Sequence, residues 1–177
     1  MRLFAILLMS ALGLAAQSGA LSNRRAPGFS LPDSRMKQYD LADFRGKIVL
    51  IDFMKTDCPH CQTLTKTLEK VRAKYGEKIQ ILSIVTAPPD NPATVAQFAA
   101  TFGTKSPFLF DCSQVAISYM KATPQNPRMD VPHLFLIDGQ GMIRNDWGVS
   151  EATANIMAGD GLFAEIDRML AASSGKK

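Results

Sequence analysis

Between residues 48 and 75 the chain changes period, and the change falls on a pair of cysteines. Residues 48–54, Ile-Val-Leu-Ile-Asp-Phe-Met, are apolar but for one aspartate and β-branched at their start. Such a run suits a strand buried on both faces. Further on, Leu64, Leu68, Val71 and Tyr75 recur at helical spacing and form one apolar stripe. Between the two lies Asp57-Cys58-Pro59-His60-Cys61. Pro59 falls where a first helical residue belongs, a position whose N–H has no partner to lose, and Gly76 closes the helix. A doubly buried strand that feeds straight into an amphipathic helix demands a layered α/β architecture.

The position of the cysteines also bears on their chemistry. The free N–H groups and positive dipole end of a helix start favour negative charge, so a thiolate at Cys58 is stabilised there. The thiolate is the attacking form of cysteine. Cys61, one turn on, faces the same side and is placed to resolve a mixed disulfide. Two cysteines spaced this way at a strand-to-helix junction point to a redox dithiol. A zinc site would need a second Cys/His pair at ligand spacing, and none is present.

The chain has 177 residues, enough for one domain with a real core. A hydrophobic content of 46% against 20% charged residues excludes a disordered chain. The net charge is +4, but the Lys and Arg residues are scattered without interleaved aromatics, which argues against nucleic-acid binding. At the N-terminus, Arg2 precedes an apolar run over residues 3–16, and Ser18-Gly19-Ala20 supplies small residues for cleavage. Residues 1–20 therefore read as an export signal, with a mature start near Leu21. The apolar run is shorter than the ~20 residues of a membrane span, though an uncleaved signal would leave an N-terminal anchor. Export places the protein in a periplasmic or other extracytoplasmic space, where disulfide chemistry has substrates.

The remaining elements follow in order. Residues 23–32 read as a polar lead-in and residues 39–46 as a helical turn closed by Gly46. Residues 79–85 form a second buried strand. Asn91-Pro92 starts a helix to about Phe102, residues 107–110 form a short strand, and Ser113 caps a helix to about Lys121. Residues 123–130 are a Pro-rich loop. Residues 134–137 and 142–147 pair across the turn Asp138-Gly139-Gln140-Gly141. Leu162, Phe163, Ile166, Met169 and Leu170 make the face of a terminal helix. Cys112 reads as a small buried core residue, and Trp147 and the methionines as core fillers.

Four blocks carry a family resemblance: Ala26-Pro27-Gly28-Phe29-Ser30-Leu31-Pro32-Asp33, Leu41-Ala42-Asp43-Phe44-Arg45-Gly46-Lys47, Cys58-Pro59-His60-Cys61, and Val131-Pro132 with residues 134–139. In this order they resemble the thioredoxin superfamily, and within it the exported thioredoxin-like branch that includes cytochrome c maturation proteins and their redoxin relatives. The resemblance implies an α/β, thioredoxin-like fold over residues 21–177. Its central mixed sheet is flanked by helices on both faces, with a core over residues 26–148 and a terminal helix at about 160–172.

The resemblance also implies a thiol–disulfide oxidoreductase that needs no cofactor and acts on thiols or disulfides of exported proteins, served by an upstream redox partner protein. Cys58 is then the exposed nucleophile. Asp52, at the spacing of thioredoxin's buried aspartate, exchanges protons with Cys61. Pro132 is the cis-proline beside the dithiol, and Val131 offers its backbone to a substrate chain. His60 between the cysteines favours an oxidant. Asp57, where relatives carry Trp, opposes thiolate formation. Reduction is favoured over oxidation by the overall resemblance. Two alternatives remain. One is copper delivery through Cys58, Cys61 and His133, as in copper-delivering assembly factors. The other is a peroxiredoxin-like peroxidase, whose Pro-x-x-x-Thr-x-x-Cys pattern Thr56 and Met54 do not reproduce. Residues 149–161 carry no recognisable motif.

Overall fold

The computed structural model describes residues 19–174. Most of the export-signal reading, residues 1–18, lies outside the described residues. No helix among the described residues is long and apolar enough to cross a membrane.

Strands β1 (Arg24–Arg25), β4 (Ile48–Met54), β5 (Ile79–Thr86), β6 (Phe108–Asp111), β7 (His133–Ile137) and β8 (Met142–Gly148) form one six-stranded sheet in the order β1-β8-β7-β4-β5-β6. β4, β5 and β6 run parallel, while β7 opposes β4 and β8 opposes β7. The sheet is mixed, as the hairpin and the helical crossovers require. Every residue of β4 is buried, which explains its apolar run.

Helices α1 (Pro59–Tyr75), α2 (Pro92–Phe102), α4 (Ala154–Ala158) and α5 (Asp160–Ser174) cover one face of the sheet. There Leu64, Leu68 and Val71 of α1 meet Leu50, Leu134 and Leu136, and α5 adds Leu162 and Ile166. α3 (Gln114–Met120) covers the other face, where Phe53, Phe135 and Tyr119 pack ring against ring with centroids 5.1–5.8 Å apart. The expected turn over 39–46 is the 3-10 helix Leu41–Phe44.

The hairpin turn has specific backbone requirements. Gly141 adopts φ +78°, and a Cβ on Gly139 would stand 3.0 Å from the backbone of Gly46, whose N–H bonds Gly139 O at 2.9 Å.

Four expectations need correction. The polar lead-in is structured. β1 pairs with β8, and β2 (Ser30–Pro32) pairs with β3 (Gln38–Asp40) in a second small sheet, while Ala26 and Phe29 are buried. Strands of two or three residues are too short to show a period. Ser113 does not cap α3, because its φ of 73° turns the side chain away. The Asp111 carboxylate accepts the Val115 and Ala116 N–H groups instead, at 3.2 and 2.9 Å. Cys112 is exposed because β6 ends at the buried Asp111 and Cys112 is the first residue beyond it. Residues 149–161 hold the 3-10 helix Glu151–Thr153 and α4. Trp147 and Met54 are core residues, whereas Met36 is 75% exposed.

Candidate active site

The end of β4 and the start of α1 place Cys58 at the helix N-cap with extended backbone, φ −92° and ψ 116°. Its Sγ accepts the Cys61 N–H at 3.3 Å and donates to Val131 O at 3.8 Å. Cys58 is half-buried and Cys61 fully buried. The first sulfur is thus reachable from solvent, and the second only through the first. Pro59 sits in the first turn, as its spacing predicts. Asp57 and His60 are exposed on the rim, where solvent screens their charges.

Two groups behind the dithiol are chemically unusual. Burial pushes the Cys61 thiol far above the ordinary thiol range, and its contact with Cys58 and the nearby Asp52 charge add to that push. Asp52 has no exposed surface, and neither carboxyl oxygen has a hydrogen-bond partner among the described residues. It lies in β4 opposite Ser83 of β5 and Leu134 of β7. Burial pushes its carboxyl up to about 7. An orphaned buried carboxyl costs stability, and such groups concentrate where a proton has to move.

Val131 faces Cys58 across the site and is joined to Pro132 by a cis peptide bond. Beside Val131 a cleft of about 250 Å³ opens between Pro88, Pro89, Met120 and Met129.

His133 is not brought to the dithiol. Strand alternation turns it onto the α3 face, where it stacks on Phe135 at 4.7 Å and meets Asp146 Oδ2 through Nε2 at 3.0 Å. The copper reading thereby loses its third ligand. No group of three or more His, Cys, Asp and Glu side chains among the described residues is placed to hold a metal ion. Thr56 donates its hydroxyl to the buried Asp90 carboxylate rather than to Cys58, so it does not serve the cysteine as the peroxidase pattern would require.

Sequence reasoning missed the Asp90 contacts. Asp90 also accepts the Thr56 N–H at 3.3 Å and the Thr94 hydroxyl at 3.0 Å, tying the loop before Cys58 to the start of α2. The only signal was its place in Pro88-Pro89-Asp90-Asn91-Pro92, which reads equally as a helix start.

The chain is 27% identical over 128 residues to the thioredoxin-like protein YneN of Bacillus subtilis, covering 72% of this chain and 71% of that one. It is 29% identical over 121 residues to the thiol-disulfide oxidoreductase ResA of Bacillus thuringiensis, covering 68% of this chain and 65% of that one. Among solved structures, the thioredoxin domain of a thiol-disulfide oxidoreductase from Bacteroides vulgatus superposes with a TM-score of 0.62 at 20% identity, over 76% of this chain and 94% of that one, a likeness of fold. The AhpC/TSA family profile matches residues 23–146. With a profile that spans most of the chain and a thioredoxin-like sheet carrying the cysteine pair at its strand-to-helix junction, the chain belongs to the AhpC/TSA family, in the redoxin branch of the thioredoxin superfamily.

Proposed function

We propose that the chain is an exported thiol–disulfide oxidoreductase that reduces disulfides of other exported proteins. One observation carries the reading: a solvent-reachable sulfur at a helix N-terminus stands in front of a buried thiol and an unpartnered buried carboxyl. The names of the relatives support the reaction class, and Arg2, the apolar run at 3–16 and the small residues at 18–20 support export.

The reaction balances on the chain's own groups. The Cys58 thiolate attacks one sulfur of the substrate disulfide, forming a mixed disulfide and releasing the other substrate thiolate. Cys61 then gives its proton to the Asp52 carboxylate, and its thiolate attacks Cys58 Sγ, breaking the mixed disulfide. The dithiol has become a disulfide, and two electrons have reached the substrate. A carboxyl that titrates near 7 is poised to take this proton at neutral pH. Val131 and Pro132 offer backbone to the substrate segment by strand-like pairing. An upstream redox protein restores the dithiol.

The direction rests on what surrounds Cys58. Its Sγ partners are the Cys61 N–H and Val131 O, and His60 stands exposed rather than on the sulfur. The group that would favour an oxidant is therefore not engaged. The test is the equilibrium potential of the Cys58–Cys61 pair in glutathione buffers. A value near thioredoxin's, about −270 mV, is expected, and one near the −120 mV of a strong periplasmic oxidant refutes the reducing direction. Full activity in a Cys58→Ser variant refutes the site itself.

A further inference from the structure

Asp146 lies in β8, only 5% exposed, away from the dithiol. Its Oδ1 accepts the Leu21 N–H at 3.0 Å and the Ser22 hydroxyl, and its Oδ2 accepts from His133 Nε2 at 3.0 Å. Burial alone would raise this carboxyl, but the bonds from His133, Ser22 and Leu21 outweigh it and hold the group below the ordinary carboxylate range. A buried carboxylate is best matched by a cation. Arg24 lies near enough for its charge to act, but its guanidinium is spent on Leu21 O, at 2.8 Å, and on Tyr119 O.

The nitrogen held by Asp146 belongs to the residue that follows Ala20. Ser18 and Ala20 are the small residues at the third and first positions before it, the pattern a leader peptidase cleaves. Leu21 is also pinned independently of whatever precedes it. Its side chain packs on the core beneath the sheet, and the next turn is tied by Asn23 N–H to Ile143 O at 2.8 Å.

We propose that Asp146 is the receptor for the α-ammonium of a chain processed between Ala20 and Leu21. The proposal rests on the export reading. Hydrolysis of the Ala20–Leu21 bond by a leader peptidase consumes one water. It leaves a carboxylate on Ala20 and an amine on Leu21 that is protonated at neutral pH. On folding, that ammonium takes the place of the peptide N–H at Oδ1, and a neutral contact becomes a charged pair inside the protein. The same carboxylate orients His133, which directly follows Pro132. The processed N-terminus and the strand that follows the Val131–Pro132 cis bond thus share one buried charge.

The test uses the protein recovered after export of the full chain. Intact mass is expected to show a first residue of Leu21. In that protein the Leu21 amine, followed by NMR with 15N-leucine, is expected to titrate at least one unit above the ordinary 7.7–8.0 of an α-amino group. Acetylating the amine keeps an N–H but removes the charge, and is expected to lower the melting temperature at pH 7 by about 2–4 °C. Asp146→Asn is expected to restore ordinary titration. If that variant does not fold, the acetylation comparison in the unaltered protein decides. A first residue other than Leu21, or an amine that titrates in the ordinary range, overturns the proposal and leaves the export reading intact. An unprocessed chain retained inside the cell overturns both.

Discussion

Asp52 makes two opposite demands on the protein. Its folded value of about 7 lies well above the ~3.9 of an unfolded chain. Between those values the folded state holds a proton that the unfolded state has lost, so stability falls as pH rises from about 4 to 7 and levels off above. A shift of this size corresponds to on the order of 4 kcal/mol. Asp52→Asn is expected to flatten that slope and to stabilise the protein most at pH 8, as urea unfolding at several pH values would show. In the proposed mechanism the same change removes the proton acceptor for Cys61. Turnover is expected to drop by about 100-fold, with the substrate–Cys58 mixed disulfide accumulating on non-reducing gels. An unchanged stability slope sinks the assignment of the raised carboxyl. Unchanged turnover sinks its catalytic role. Cys61→Ser is expected to trap the same mixed disulfide while leaving the initial attack intact, because in the proposed mechanism Cys61 acts only in resolution.

At the scale of elements, α3 shows how a cap is chosen by backbone rather than by residue type. Ser113 stands at the position before the helix, yet its left-handed φ takes the hydroxyl away from the first-turn N–H groups. Asp111, at the end of β6, reaches them instead. Asp111→Ala is expected to cost about 1–2 kcal/mol and Ser113→Ala no more than about 0.5 kcal/mol, measured as shifts in the urea midpoint at constant slope. The reverse order would return the cap to Ser113. At α1 the local signals all agree: Pro59 in the first turn, the stripe of Leu64, Leu68, Val71 and Tyr75 buried, and Gly76 with φ 55° at the end. That agreement is why the helix and its cysteine cap were legible from sequence.

At the scale of the whole molecule, the segment from Arg24 to Asp33 crosses one face of the sheet and protects both edges. β1 pairs with β8 at one edge, and Asp33 bridges Leu109 of β6 at the other. Ala26 and Phe29 are buried between them under the sheet. Unpaired strand edges invite association with other chains, so this crossing guards solubility as well as stability. Phe29→Ala is expected to cost about 3 kcal/mol and to speed amide exchange in β6 and β8 together, although the two strands lie at opposite ends of the sheet. Faster exchange in one edge alone would show that the segment does not act as a unit.

Local chemistry determined a great deal. The doubly apolar β4, the stripe of α1, the proline in its first turn and the Asp-Gly hairpin each leave a local pattern, so the α/β class, the order of the longer strands in sequence and the cysteine pair could be read directly. What faces what was left to the tertiary structure. His133 follows Pro132 in sequence, but the two-residue alternation of a strand sends its ring to Asp146 and away from the sulfurs. Asp111 and Cys112 are neighbours with opposite environments because β6 ends between them. The Asp90 clamp on Thr56 and the Asp146 seat for Leu21 join residues 34 and 125 positions apart. Such contacts have no period and no motif, and they form only once the sheet has brought distant segments together.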